Sequence, residues 1–257
     1  QVEVIKELLQ GLSPEERNAY LHMATNNGVT LLCIAAQKGQ VEVIKELLQG
    51  LSPEERKDYL HIADNYGHTP LNRAAGRGQV EVIKELLQGL SHEERKAYLH
   101  MVTNTGVTPL YIAASEGYLE VIKELLQGLS HEERLAYLHM TDKNVETPLH
   151  CAAVEGHVEV IKELLQGLSH EERKAYLHMV TNTGVTPLYI AASEGYLEVI
   201  KELLQGLSHE ERLAYLHIYL HMADNNGWTP LHIAAHRGQV EVIKELLQGL
   251  SHEERKA

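Results

Sequence analysis

The chain has 257 residues, 44% of them hydrophobic and 23% charged, and a formal net charge of −13 from 23 Lys and Arg against 36 Asp and Glu. That carboxylate excess repels a phosphate backbone and argues against a nucleic-acid partner, and two cysteines, Cys33 and Cys151, are too few to frame a disulfide-held secreted domain. No apolar run approaches the roughly eighteen residues of a membrane span and no signal-peptide pattern opens the chain, so no membrane partner and a cytoplasmic (or recombinant, untargeted) location are expected. Zero Phe beside twelve Tyr and seventeen His is the bias left when one unit is copied many times.

The string EVIKELLQGLS begins at Glu3, Glu42, Glu81, Glu120, Glu159, Glu198 and Glu241, a spacing of 39 residues five times and then 43. A fixed period of roughly 20–50 residues signals a repeat array whose units bury their faces against one another. Six T-P-L-x-x-A-A-type blocks, the first with Leu31 in place of the proline, alternate with the string, and no linker or low-complexity segment interrupts them. Residues 1–257 are therefore expected to form a single domain.

In chain order, the unit at Asn65 opens on a turn, Asn65-Tyr66-Gly67-His68, with Gly67 free to take a positive φ. Thr69-Pro70-Leu71 then starts a short helix, Thr69 as its N-cap and Pro70 at the first position, where the missing N–H costs nothing. Ala74 and Ala75 leave room for a close neighbour, and Gly78 is expected to stop the helix. Val80, Ile83, Leu86, Leu87 and Leu90 follow at helical spacing as the apolar face of a second helix, closed by Gly89. Ser91-His92-Glu93-Glu94 is a capping box for a short third helix that buries Tyr98 and Leu99.

With the block seen whole as Thr229-Pro230-Leu231-His232-Ile233-Ala234-Ala235, followed by a glycine, the E-V-I-K-x-L-L helix and the N-x-G turn, the chain resembles the ankyrin repeat family. The resemblance covers nearly the whole chain and departs in length: family units run about 33 residues, and the extra residues here carry the third helix. It implies an all-α, ankyrin-type solenoid of six to seven stacked repeats, each with two helices, a short third helix and a turn tip. Hairpin-like tips would project to one side of a concave face.

Comparison of the repeats with one another locates their variation. The second and third helices hardly change, while differences gather at the turns and along the first helix. After the turn Asn stand Tyr66, Thr105, Thr183 and Asn226, and before the capping Thr stand His68, Val107, Glu146, Val185 and Trp228. At the end of the first helix come Arg77, Glu116, Glu155, Glu194 and the pair His236-Arg237, and beyond the glycine Tyr118, His157 and Tyr196. Variation confined to these positions on a constant frame looks like diversification of a protein-binding surface, similar to that of the designed ankyrin repeat proteins. The expected function is an artificial scaffold that binds a protein through the concave face and tips. A natural bacterial-type ankyrin array or a design without a ligand remain the alternatives.

Catalysis, a cofactor and a small-molecule substrate are not expected. The histidines form two ladders, His22, His61, His100, His139, His178 and His217 after Tyr-Leu, and His92, His131, His170, His209 and His252 after Ser. Neighbouring copies about 8–10 Å apart cannot share a zinc ion, which holds its ligand atoms at about 2 Å, so no metal site follows. Ser-His-Glu-Glu lies contiguous at a helix start, where its side chains point apart rather than converge as a triad does. His-Glu-Glu-Arg lacks the second histidine of a zinc helix, having Lys96, Leu135, Lys174, Leu213 or Lys256 instead.

Two irregularities remain. Val145 stands where other turns have glycine, and Leu31 replaces the helix-starting proline. The stretch Lys96 to His139 recurs unchanged as Lys174 to His217, after which a doubled Tyr-Leu-His, through His221, adds four residues. Four residues is close to one helical turn, so the third helix is expected to lengthen with little rotation of its apolar face.

Overall fold

The structure is a computed structural model that describes residues 2–248 and 250. His252 and Lys256 lie outside the described residues, as does the side chain of His209. Among the described residues, regular structure consists of nineteen helices, and one isolated antiparallel bridge, Ala24 to Thr30, closes the first tip. The helices recur as triplets, of which Pro70–Ala75, Val80–Leu87 and His92–Leu99 are one complete example. The chain gathers into two compact units, Gln1–Ala113 with Tyr118–Tyr137, and Ala114–Gly117 with Leu138–Ala257. Within each unit, first helices pack on first helices and second on second: Leu31–Lys38 on Pro70–Ala75 and Val41–Leu48 on Val80–Leu87, then Pro148–Glu155 on Pro187–Glu194 and Val158–Leu165 on Leu197–Leu204.

Local chemistry accounts for these boundaries. Thr69 caps the amide of Asn72, and Asn72 reaches back to Thr69, a reciprocal pair that satisfies two otherwise orphaned donors. Leu31 does not prevent the helix Leu31–Lys38, because Thr30 Oγ1 still accepts from the Cys33 amide at 3.3 Å. The first helix of the Asn65 repeat ends at Ala75, earlier than expected: Gly76 caps it and a turn carries the chain on to Gly78. The buried face of Val80–Leu87 is Val82, Ile83, Leu86 and Leu87, with Val80 only half-buried, since residues three and four apart share a helix face.

Within each unit the third helix fastens one repeat to the next. Arg95 donates from Nη2 to the carbonyls of Glu124 and Gln127, 2.9 Å each, which are among the orphan acceptors at the end of the next repeat's second helix. Arg17, Arg56, Arg173 and Arg212 do the same toward Glu46, Glu85, Glu202 and Glu245. Tyr137 is fully buried, and its hydroxyl accepts from the Leu110 amide at 3.2 Å, in the first turn of Pro109–Glu116. Burial pushes the phenols of Tyr98 and Tyr137 far above their ordinary range, so they remain neutral.

Both histidine ladders are taken up by this frame. After Tyr-Leu, His61 lies 5.3 Å from the Tyr98 ring, His100 5.2 Å from Tyr137 and His139 4.9 Å from Tyr176, each against the following repeat's tyrosine. After Ser, His92 Nε2 meets Glu133 at 2.8 Å and His170 Nε2 meets Glu211 at 2.9 Å, again one repeat on. The Ser130 amide and His92 hold the Glu133 carboxyl down at about 2.

The lengthened third helix, His209–Tyr219, has 11 residues where the others have 8. Leu216 and Leu220 are both buried, so the added turn keeps its apolar phase.

Candidate functional site

The tips are built on one polar side chain per turn. In the Asn65 repeat, Asp64 Oδ1 accepts from the amides of Tyr66 and His68, 2.9 Å each, while Gly67 adopts φ 83°. Asp142 and Asp224 repeat the arrangement, and in the Thr-headed turns the hydroxyls of Thr103 and Thr181 replace the carboxylate. These bonds hold the Asp64, Asp142 and Asp224 turns in one shape whatever side chains they display. The accepted amides also keep the Asp224 carboxyl below its usual range. For Asp64, burial opposes ionisation, and Arg73 together with the two amides outweighs it.

Successive tips are joined directly. The Asn65 amide donates to the Asn27 carbonyl at 2.9 Å and the Asn65 side-chain amide to Asn26 at 3.1 Å. Asn104 repeats both bonds on Tyr66 and Asn65, and in the second unit Asn182 and Asn225 do so on their preceding turns. Between the Asn65 and Asn104 turns only glycine fits: a Cβ on Gly67 would stand 2.6 Å from the Asn104 nitrogen. Val145 takes the glycine conformation anyway, φ 63°, and is the one non-glycine positive φ among the described residues.

The candidate residues fall into two groups. Tyr66, Arg77, Thr105, Glu116, Glu155, Thr183, Glu194, Tyr196, Asn226, Trp228, His236 and Arg237 are exposed. His68, Val107, Tyr118, Glu146, His157 and Val185 are half-buried. The position beyond the glycine packs on the preceding repeat, the Tyr118 ring over Gly78, His157 over Gly117 and Tyr196 over Gly156. His157 Nε2 also bonds the Ser115 carbonyl at 3.1 Å. Arg237 spans repeats as well, donating to the Ser193 carbonyl at 2.8 Å and to Glu194 at 3.1 Å.

Trp228 is 38% exposed, with its ring edge-on to His236 at 5.2 Å and His232 at 6.4 Å. It leans on the helix that follows it and makes an aromatic patch within its own repeat. Arg73 was not among the expected residues. It pairs with buried Asp64 and donates to Gln37 of the preceding repeat at 3.0 Å. Its signal was present in the sequence, since Arg stands where the other first helices have Ile34, Ile112, Cys151, Ile190 and Ile233.

His150 has no exposed surface and completes the capping box of Pro148–Glu155. Its Nδ1 accepts from Thr147 Oγ1 at 2.8 Å, and its Nε2–H donates to the Met179 carbonyl, beyond the third helix of the same repeat, at 3.1 Å. Burial pushes this imidazole down to about 4, so it is neutral. Cys33 and Cys151 are buried and form no disulfide, and burial raises the Cys33 thiol above its usual range, away from thiolate reactivity. No helix among the described residues is long and apolar enough to cross a membrane.

A family model described as ankyrin repeats, in three copies, matches residues 1–96, 56–134, 90–174, 130–212 and 173–256, in overlapping windows. A search of the curated proteins found no match.

Proposed function

Since the chain belongs to the ankyrin repeat family, we propose that it is a non-catalytic scaffold that recognises a protein target through its turn tips and first helices. Ankyrin repeats generally mediate protein–protein interaction, and their proteins are typically non-enzymatic. The observation that carries the reading is the division of labour within each repeat. Variable side chains stand on turns whose backbone is held by Asp64, Asp142, Asp224 and their Thr counterparts. Constant side chains are spent on the frame, Arg95 joining one repeat to the next and Tyr137 tying the third helix of its repeat to the first. A surface can change freely on a frame that does not depend on it.

The same division supports an artificial origin, as does the unchanged recurrence of Lys96–His139 as Lys174–His217. The absence of any linker between repeats supports treating 1–257 as one binding domain. Trp228, with His236 beside it, is the anchor expected to contribute most, because interface hot spots concentrate in aromatic and arginine side chains.

Affinity capture followed by titration of the captured protein tests this. Trp228→Ala should weaken binding by about 30-fold or more, near 2 kcal/mol, while Lys201→Ala on the exposed second-helix surface should change it less than about twofold. The reverse order would move the binding surface to the second and third helices.

A further inference from the structure

We propose that His217 and His221, brought onto one face by the four-residue insertion, form a surface site for a single Zn²⁺ ion. In other repeats the Tyr-Leu-His motif occurs once, and its histidine rests on a tyrosine ring, as His100 does on Tyr137 and His178 on Tyr215. Doubling the motif places two histidines four residues apart at the end of His209–Tyr219, and positions four apart share a helix face. The helical course continues past Tyr219: Leu220 is right-handed helical and its amide bonds the Leu216 carbonyl at 2.8 Å, and the His221 amide bonds Ile218 at 3.3 Å. Both imidazoles are exposed, and their ring centroids lie 5.2 Å apart with the planes inclined at 64°.

That separation is compatible with one Zn²⁺ ion shared by the two rings. A Zn–N bond of about 2.0–2.1 Å puts each ring centre about 3.2 Å from the metal, so two rings at the tetrahedral angle stand about 5.2 Å apart. Among the described residues no third His, Cys, Asp or Glu joins the pair, which leaves the remaining positions to water. His232 and His236 are also four apart, on Pro230–His236, but His232 Nδ1 is engaged by Thr229 Oγ1 at 2.7 Å and both rings lie against Trp228.

Zn²⁺ titration against a chromogenic zinc chelator, with Co²⁺ absorption reporting geometry, tests the assignment on the full chain. One equivalent of Zn²⁺ should bind at least tenfold more tightly than the rest. His217→Gln and His221→Gln should each abolish that step and the tetrahedral Co²⁺ spectrum, because a chelate is lost with either ligand. His232→Gln should leave both intact. Unchanged binding in His217→Gln and His221→Gln, or loss confined to His232→Gln, would overturn the proposal. Thermal melts identify a variant that fails to fold, and these two exposed positions allow His217→Ala and His221→Ala as replacements.

Discussion

Arg95 donates to the Gln127 carbonyl at 2.9 Å, so the third helix of one repeat closes the second helix of the next. The same guanidinium nitrogen reaches Glu124 at 2.9 Å. One side chain thereby serves two carbonyls that have no intrahelical donor, and the third helix acts as a joining element between repeats.

Arg95→Ala should therefore destabilise the protein by about 1.5–3 kcal/mol, the usual range for hydrogen bonds involving a charged group. Arg77→Ala, at an exposed position of the same unit, should stay within about 0.5 kcal/mol. Denaturant melts of both variants provide the comparison, and equal effects would remove the joining role from Arg95.

Val145→Gly should stabilise the protein. A β-branched residue at φ 63° carries roughly 1–3 kcal/mol of backbone strain, and glycine gives back about 0.5–1 kcal/mol through the freedom it adds to the unfolded chain. The expected net gain is about 1 kcal/mol, or about 2–4 °C in Tm for a chain of this size. A lower Tm would mean that contacts of the valine side chain outweigh the strain.

Acid should weaken the fold through His150. Its folded value is depressed to about 4 by burial, while the unfolded chain takes up the proton near 6.5. The neutral ring's contribution is complete above pH 6.5 and is lost as pH falls toward 4, at up to about 1.4 kcal/mol per pH unit. His61 and His100, also depressed by burial, add in the same direction. His150→Tyr, the residue found at this position in Tyr111 and Tyr189, should show a shallower loss of stability from pH 6.5 to 4.5 in urea melts. Parallel curves would exclude His150 as a source of the slope.

Leu125→Ala should cost about 2–5 kcal/mol, because Leu125 has no exposed surface and truncation leaves a cavity. Glu116→Ala, at an exposed position, should change stability by less than about 0.5 kcal/mol. Thermal melts decide between this division of inner and outer positions and its reverse.

Periodicity alone carried the architecture. The recurrence of EVIKELLQGLS and T-P-L-x-x-A-A specified three helices per repeat, and the capping serines and threonines specified where they begin, because these signals depend on neighbours within about four residues. The variable positions were legible by the same route. Only the tertiary structure decided what each side chain does there. Tyr118 and His157 read as binding residues but cover glycines of the preceding repeat, and the repeated histidines, set aside in the sequence as metal ligands, meet the next repeat's Tyr98 or Glu133. His217 and His221 read as a harmless duplication until the helix placed their rings side by side. Each of these roles depends on a residue that helix geometry or stacking brings within a few ångströms, most of them about one repeat away in the chain, a separation that local sequence rules do not span.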